Sequence, residues 1–282
     1  MYPRVSVFAV LLVLGVIFSS GCVSNQPGIA TGNGVNIVEF EPEMRSLGEG
    51  EALAFRMKIK NTGSFEASGL SKISAPEWEC GHLGGPETFT LIAPSEERGT
   101  EGEEKVITWT CTSPQTVAAG LTVPYEIRAE VEYPYTTLVS KSITMLPTRE
   151  MIALRDAGKT LPSETITKSN SPVDMDIQIE GPIRIREDMG YAEFPVNIKI
   201  TNTGGGIVLG STVDLTVNKI EGIDTVTSCD QNDLHLWRGQ SQTITCEMKT
   251  SQVSALTQGR IEATLSYSYV VSQSTKVDVV GT

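Results

Sequence analysis

The chain has 282 residues, a formal net charge of −12 and a sequence pI near 4.7. An acidic chain of this kind offers no basic surface to a phosphate backbone, so we expect no nucleic-acid partner. Its 2 histidines and 5 cysteines are also a poor supply of side chains for acid–base or metal chemistry near neutral pH.

Residues 1–21 are typical of a secretory signal peptide. Arg4 precedes an apolar run from Val5 to Phe18, and small residues then lead to Cys22. This run is shorter than the ~20 residues of a spanning helix, which favours cleavage. The residues before Cys22 resemble a lipobox, the site at which prokaryotic lipoprotein precursors are lipidated on cysteine. The resemblance implies a lipid on Cys22, with an uncleaved anchor helix and free secretion as alternatives.

Residues 22–34 are polar and rich in glycine, as expected of a flexible tether that holds a domain away from a membrane. The strand signals begin after it, in residues 35–147. Apolar residues alternate with polar ones from Leu53 to Ile59 and from Val123 to Tyr133. A period of two with one apolar set is typical of a half-buried antiparallel strand.

Residues 148–172 are predicted to form a linker with a short helix. The segment from Glu150 to Ala157 predicts about two helical turns that end at Gly158. We expect its apolar side chains to turn inward: Met151, Ile152 and Leu154. The remainder is rich in Ser and Thr, so we predict a hinge between two domains unless the helix docks onto one of them.

Residues 173–282 repeat the first half. AFRMKIKNTGS, ending at Ser64, corresponds to PVNIKITNTGG, ending at Gly205. ITWTC corresponds to QTITC, and RAEVEYPYTTLVSKSI corresponds to EATLSYSYVVSQSTKV. Each copy has about 110 residues and about seven short strands, which predicts two immunoglobulin-like antiparallel β-sandwich domains in tandem and an all-β fold.

Two features of the repeat predict details of packing. The Asn-Thr-Gly ends supply turn residues, and Gly63 and Gly204 are predicted to be free to take positive φ there. The Tyr-x-Tyr pairs are expected to pack in the core, with an exposed ligand platform as the alternative. Trp109 should pack against a disulfide of Cys111, two residues away, and Trp237 is the candidate for that place in the second copy.

Four cysteines remain after Cys22, two in each half, and four cysteines allow three pairings. The repeat favours Cys80–Cys111 and Cys229–Cys246. An exported location permits such bridges. A zinc site is the weaker alternative, because no Cys-x-x-Cys occurs and no histidine lies at ligand spacing.

A search for chemistry yields no catalytic residue, no metal site and no cofactor. Gly-x-Ser-x-Gly is absent, and His82 in GHLGG has no matching acid or nucleophile. His235 lies in the other repeat. The acidic stretches Glu96–Glu104 and Cys229–Asp233 lack the ligand offsets of a calcium loop, so we expect solvated loops, with a weak calcium contact as the alternative.

The Asn-Thr-Gly strand end, the Trp-x-Cys strand and the Tyr-x-Tyr hairpin resemble exported immunoglobulin-like domains of the CARDB adhesion type, found in tandem in archaeal surface proteins. The resemblance covers most of residues 35–280 and implies a spacer, an adhesion module or a scaffold. This inference is by analogy, because fold alone does not establish function.

These observations together predict a non-enzymatic lipoprotein on the extracellular face of the cell membrane. Its expected partners are the membrane, through the N-terminal lipid or anchor helix, and another surface protein or a glycan. We expect the contacts in two long loops, residues 74–105 and 221–239. The alternative is an accessory or substrate-binding subunit of an envelope enzyme or transporter.

Overall fold

The computed structural model describes residues 33–80, 85–220, 223–227, 229, 231–236, 240–250 and 253–282. The fold is all-β, with one short helix among the described residues. The strands of the first repeat are β1 (Val35–Pro42), β2 (Ser46–Gly48), β3 (Ala52–Asn61), β4 (Ala67–Ser74), β5 (Glu79–Cys80), β6 (Glu87–Leu91), β7 (Glu104–Thr112) and β8 (Thr122–Pro147).

The helix and the second repeat follow in chain order. Helix α1 (Thr148–Asp156) and β9 (Ile166–Lys168) connect the repeats. The strands of the second repeat are β10 (Val173–Gln178), β11 (Ile183–Ile185), β12 (Glu193–Asn202), β13 (Ile207–Val208), β14 (Thr212–Ile220), β15 (Ile223–Thr227), β16 (Gln231–His235), β17 (Ser241–Thr250) and β18 (Thr257–Val280). A 3₁₀ turn, Leu209–Ser211, separates β13 from β14.

The strands form three sheets. Each repeat has its own 4-stranded sheet, with the orders β1-β3-β7-β5 and β10-β12-β17-β15. The third sheet has 10 strands and belongs to both repeats, with the central order β16-β14-β18-β8-β4-β6. The short strands β2, β9, β11 and β13 pair along β8 and β18.

Period-two alternation places the core on one face of the ten-stranded sheet. From Ile127 to Val139, the odd-numbered residues of β8 are buried and the even-numbered ones reach solvent. The same parity holds in β18 from Ile261 to Tyr269. An antiparallel sheet can keep one face in water in this way, because its side chains alternate along each strand. The even-numbered residues therefore form a long outer face.

Strands β8 and β18 join the repeats directly. They pair antiparallel along almost their whole length, from Thr257–Met145 to Val280–Thr122. Pro134 pairs with Ser268, its own counterpart in the repeat, so an approximate two-fold axis passes through this pair. The predicted hinge is therefore wrong, because a continuous sheet connects the halves. The Tyr-x-Tyr phrase is likewise the middle of a long strand and not a hairpin.

The linker also differs from the prediction. Helix α1 has no buried residue: Ile152 is exposed, and Met151 and Leu154 are half-buried, so the helix contributes no fully buried side chain to a core. Gly158 has φ 64° just after the helix, as a C-terminal glycine should. Beyond it, β9 pairs with β8 at Val139 to Lys141, which fixes the linker on the shared sheet. The boundaries 35–147, 148–172 and 173–282 remain a prediction from the sequence.

Candidate functional site

Four tyrosines occupy the centre of the molecule, around the two-fold axis. In the shared sheet Tyr133 pairs with Tyr269, and Tyr135 pairs with Tyr267. The ring centroids of these cross-strand pairs are 6.0 and 6.3 Å apart, and those of the neighbours along each strand are 5.9 and 6.1 Å apart. Ring pairs at such distances attract each other beyond simple burial. All four side chains are buried, so the prediction of core packing is confirmed.

The tyrosine hydroxyls hold the backbone of both repeats in equivalent ways. Tyr133 Oη accepts a hydrogen bond of 3.0 Å from the N–H of Val35, the first residue of β1. Tyr267 Oη accepts one of 3.3 Å from the N–H of Val173, the first residue of β10. A tyrosine hydroxyl of the shared sheet thus holds the first residue of the first strand in each repeat.

The other two tyrosines close the Asn-Thr-Gly turns. Tyr135 Oη accepts from the N–H of Phe65 at 3.3 Å, and Tyr269 Oη accepts from the N–H of Gly206 at 3.0 Å. The amide of Asn61 donates to the carbonyl of Phe65 at 2.8 Å, and that of Asn202 donates to Gly206 at 3.3 Å. The Asn-Thr-Gly and Tyr-x-Tyr motifs are therefore one structural unit, present twice.

The glycines of these turns are needed for space and not for positive φ. Neither Gly63 nor Gly204 is among the residues with positive φ, so neither uses the freedom that the sequence predicts. A Cβ on Gly63 would collide with Tyr135 Oη, and a Cβ on Gly204 would collide with Tyr269 Oη. The tyrosine hydroxyl occupies the place where any larger residue would put its side chain.

Burial also sets the ionisation of these tyrosines. It raises the pKa of Tyr133 well above its ordinary value, and it raises the pKa of Tyr267 as well. A buried phenolate would lose its hydration and face hydroxyls already committed to the backbone. Tyr133 and Tyr267 are therefore neutral at physiological pH, and their hydroxyls serve the fold.

The structure contains both predicted disulfides, Cys80–Cys111 and Cys229–Cys246. Cys80 and Cys111 are directly paired residues of β5 and β7. Cys229 lies just beyond β15, the neighbour of β17, which carries Cys246. Each bridge therefore closes off the edge of a four-stranded sheet, whereas the bridge of an immunoglobulin domain crosses between two sheets.

The acidic stretch Glu96–Glu104 is tied to strand β3 and to Ile92, the residue that follows β6. Lys60 Nζ lies 2.7 Å from a carboxylate oxygen of Glu101, and Lys58 forms an ion pair with Glu104. These hydrogen-bonded lysines lower the pKa of both glutamates. No cluster of three or more His, Cys, Asp or Glu suited to a metal ion occurs in the described residues.

Several predicted site residues lie outside the described residues: Cys22, His82, Asp230 and Trp237. His235 is at the end of β16. The two predicted contact loops are not single loops, because residues 74–105 contain β5 and β6, and residues 221–239 contain β15 and β16. In the described part of the chain, no helix has the length and apolar character to span a membrane.

The sequence interpretation missed a groove on the outer face, at the two-fold axis. Its volume is about 760 Å³, and β8 and β18 form its floor. Thr136 and Ser266, a directly paired couple, lie on this floor. Leu138 and Leu209 line it although 40% and 45% exposed, and Glu66 and Asp214 also line it.

A proline explains why the sheet is open at the groove. Along one edge of β8, pairing with β4 ends at Glu132 and pairing with β9 begins at Val139. Pro134 has no N–H to donate to a neighbouring strand. A break in the hydrogen-bond ladder beside it therefore avoids the missing hydrogen bond that a proline in the middle of a sheet would otherwise cause. One sequence signal was available, because Leu138 is an apolar residue at a position that the alternation assigns to solvent.

No family model matches the sequence, and no curated protein matches it. Among solved structures, the chain is similar to red sea bream transglutaminase at 11% identity and a TM-score of 0.21, over 86% of this chain and 31% of that one. A mutant alpha-2-macroglobulin of Salmonella matches at 8% identity and a TM-score of 0.26, over 89% of this chain and 23% of that one.

A chaperone–tip adhesin complex of CFA/I fimbriae biogenesis matches at 10% identity and a TM-score of 0.15, over 73% of this chain and 84% of that one. The chain thus spans less than a third of the first two proteins. Similarities of this strength carry no conclusion about fold or function.

Proposed function

We propose that the protein is a non-catalytic binding or scaffold module, held on the extracellular face of the cell membrane by a lipid on Cys22. Its body would be two immunoglobulin-like sandwiches that share one sheet. The observation that carries the proposal is the use of the buried polar side chains. The hydroxyls of Tyr133, Tyr135, Tyr267 and Tyr269 are bonded to the backbone of both repeats.

A body built in this way supports a role as a rigid frame. Its central polar groups hold turns and strand starts, and its 10-stranded sheet keeps a wide face in solvent. The two disulfides are compatible with an exported location, because such bridges persist in oxidising compartments. The signal-like residues 1–21 and the cysteine that follows supply the proposed route to the membrane surface.

The test of the anchor is the intact mass of the full-length protein extracted from membranes, without reduction and after thiol alkylation. The expected mass begins at Cys22, carries a lipid and contains no alkylated thiol. A matched Cys22→Ser variant should lose the lipid and leave the membrane fraction. A wild-type mass that still begins at Met1 would contradict the lipid anchor, and alkylated cysteines would contradict the exported, bridged body.

The second candidate function is an accessory or substrate-binding subunit of an envelope enzyme or transporter. The groove of about 760 Å³ at the two-fold axis favours it, because a frame alone needs no such concavity. Cross-linking of intact cells through a photoreactive residue at Leu138, followed by mass spectrometry, separates the two functions. Cross-links to a transporter or hydrolase support the accessory role, and cross-links to a filament or surface-layer protein support the scaffold.

A further inference from the structure

The two-fold axis also relates most of the strands that pair along the far edges of β8 and β18. Strand β11 pairs parallel with β8 at Met145, and β2 pairs parallel with β18 at Val279, the equivalent position in the repeat. Strands β4 and β14 likewise pair with β8 and β18 at equivalent places. Strand β9 is the exception. It pairs with β8 at Val139 to Lys141, whereas no described strand pairs with the far edge of β18 at the equivalent residues, 273–275.

The far edge of β18, which faces away from β8, is therefore open among the described residues from 271 to 277. Successive residues of a strand point their backbone groups to opposite edges. Asp278 donates its N–H to the carbonyl of Arg45 beside β2, at 2.9 Å, so the even-numbered residues of β18 face the far edge. Ser272 and Ser274 share this parity, and no described residue pairs with their backbone there. Such a row of N–H and C=O groups is a template for one more strand.

The chain enters the first repeat beside this edge. The description begins at residue 33, and the carbonyl of Gly34 accepts a hydrogen bond of 2.8 Å from the N–H of Thr62. Pro172 holds the equivalent position, since its carbonyl accepts one of 3.1 Å from the N–H of Thr203. Pro172 Cδ lies 3.0 Å from the place where a Cβ of Gly34 would be. The two repeats therefore begin side by side, at equivalent points next to the axis.

The residues before these two points are also similar in sequence. Residues 29–35 have the sequence IATGNGV, and residues 166–173 have the sequence ITKSNSPV. Both segments begin with Ile, continue with small or polar residues, and end with an Asn shortly before the Val that opens the repeat. The repeat thus extends into the residues that precede the first described one.

Strand β9 shows what the second of these segments does. Ile166–Lys168 forms the strand, and the next residue, Ser169, bonds with the backbone of Leu138 at 2.8 and 2.9 Å. Only a few residues then lead from the strand to Pro172. Residues 28–31 precede Gly34 by a similar number of positions, so the first segment has the same reach toward the far edge of β18.

We propose that residues 28–31 form an additional strand that pairs antiparallel with β18 at residues 273–275. The occupant of the open edge is thus the N-terminal segment of the same chain, and it completes the symmetry of the shared sheet. Its backbone bonds to the N–H and C=O groups of Ser272, Ser274 and Lys276, as a strand added to a sheet edge does.

This strand shortens the tether of the proposed lipoprotein. A fully extended chain from Cys22 to residue 28 spans about 20 Å, whereas one from Cys22 to Gly34 spans about 40 Å. The docked strand therefore holds the body at about half the distance from the membrane that a free tether would allow. This consequence rests on the proposed lipid anchor, but the pairing of the strand does not.

The test is hydrogen exchange, followed by mass spectrometry, on the protein purified from membranes. In the wild type, peptides that cover residues 271–277 should contain slowly exchanging amides at Ser272 and Ser274. The double variant Ile29→Pro/Ala30→Pro lacks two neighbouring N–H groups, one of which faces β18 in any register. Exchange at Ser272 and Ser274 should be about 10-fold faster or more in this variant, because the added strand no longer covers them.

The matched control is Asn25→Pro/Gln26→Pro, which places the same two prolines before the proposed strand. It should exchange like the wild type. The amide of Ser142, which donates to the carbonyl of Thr165 just before β9, is the internal reference and should be unchanged in every variant.

Three outcomes would overturn the proposal. In the first, Ser272 and Ser274 exchange as fast in the wild type as in Ile29→Pro/Ala30→Pro. In the second, the control variant accelerates exchange by the same factor. In the third, protection rises with protein concentration and survives both prolines, which would assign the edge to a second copy of the chain. The intact mass reports the lipid and hydrogen exchange reports the strand, so failure of the one leaves the other standing.

Discussion

The two repeats are alike where they meet and different where they do not. At the junction, Asn61 and Asn202 make equivalent bonds, and Tyr135 and Tyr269 accept from equivalent amides. Away from it, the cores differ. The ring of Phe55 lies 6.2 Å from Phe40 and 5.7 Å from Trp78 in the first repeat. Strands β10, β12 and β17 of the second contribute mainly Val, Ile and Met to its core.

This contrast has a packing explanation. Each four-stranded sheet packs its own core, where one large residue can replace several smaller ones if the total volume is kept. The fully buried Trp109 of β7 and the buried Ile244 of β17 occupy corresponding positions in this way. At the two-fold axis no such freedom exists, because each tyrosine contacts a ring of the other repeat and also holds a turn or a strand start of its own repeat. The constraint belongs to the junction and not to either repeat alone.

The largest expected effect comes from the tyrosines of the junction. Tyr133→Ala should lower the free energy of unfolding by about 3–5 kcal/mol, as the loss of a fully buried aromatic ring does. Tyr267→Ala, its counterpart, should cost a similar amount. Both variants should unfold in one transition that involves both repeats, measured by denaturant unfolding with near-UV circular dichroism. Two separate transitions would contradict the shared sheet as the unit of stability.

The disulfides have the next largest expected effect on stability. This effect differs between the repeats because the two bridges close loops of different length. Their sequence separations are 31 for Cys80–Cys111 and 17 for Cys229–Cys246. Chain entropy predicts losses of about 4 and about 3 kcal/mol when each pair is replaced by alanine. The measurement is the free energy of unfolding of the two double variants without reductant, with the wild type under the same conditions as the reference and the reduced wild type as the control that lacks both bridges. A larger loss for the second pair would contradict the entropic account.

How much of this could be predicted from the sequence depends on the range of the interaction. The strands around Phe55, Ile198 and Ile127 follow from period-two alternation, which is local information, and the structure confirms them. The disulfide pairs followed from the repeat. The partner of β8 did not, because alternation fixes which face of a strand is buried but not which strand lies beside it.

A signal for the long strand was nevertheless present. No Gly, Asn or Asp occurs between Thr122 and Pro147, so the sequence offers none of the positive-φ residues that a two-residue hairpin turn at Pro134 would prefer. The groove was harder to predict, because residues of both repeats, among them Glu66 and Asp214, line it together. Only the solvent-side Leu138 and the extra residues around Leu209 mark it in the sequence.

A smaller effect tests the unit formed by the two motifs. Gly63→Ala and Gly204→Ala should each cost about 1–3 kcal/mol, since the added methyl group meets a tyrosine hydroxyl. In Tyr135→Phe the obstructing oxygen is gone, so Gly63→Ala should cost less in that background. The measurement is a double-mutant cycle on the free energy of unfolding. Strict additivity of the two changes would show that glycine is required there for another reason.

The smallest expected effect is the loss of stability in alkali. Burial keeps the pKa of Tyr133 and Tyr267 far above the value near 10 that a tyrosine has in the unfolded chain. Below pH 9 both tyrosine hydroxyls are protonated in the folded and in the unfolded chain, so they contribute no pH dependence to the free energy of unfolding. As pH rises through 10, the unfolded chain releases these protons and the folded chain keeps them, which favours unfolding.

Two such tyrosines should lower the free energy of unfolding by about 1 kcal/mol at pH 10, with a steeper loss above it. Denaturant unfolding at pH 8, 9 and 10 gives the free energy, and absorbance at 295 nm follows tyrosinate in the folded protein. Because the axis makes Tyr133 and Tyr267 equivalent, Tyr133→Phe and Tyr267→Phe should each remove a similar share of the dependence, and Tyr135, whose pKa burial also raises, contributes the remainder of the tyrosine effect. A dependence carried entirely by one of them would show that the two halves of the junction are buried to different degrees.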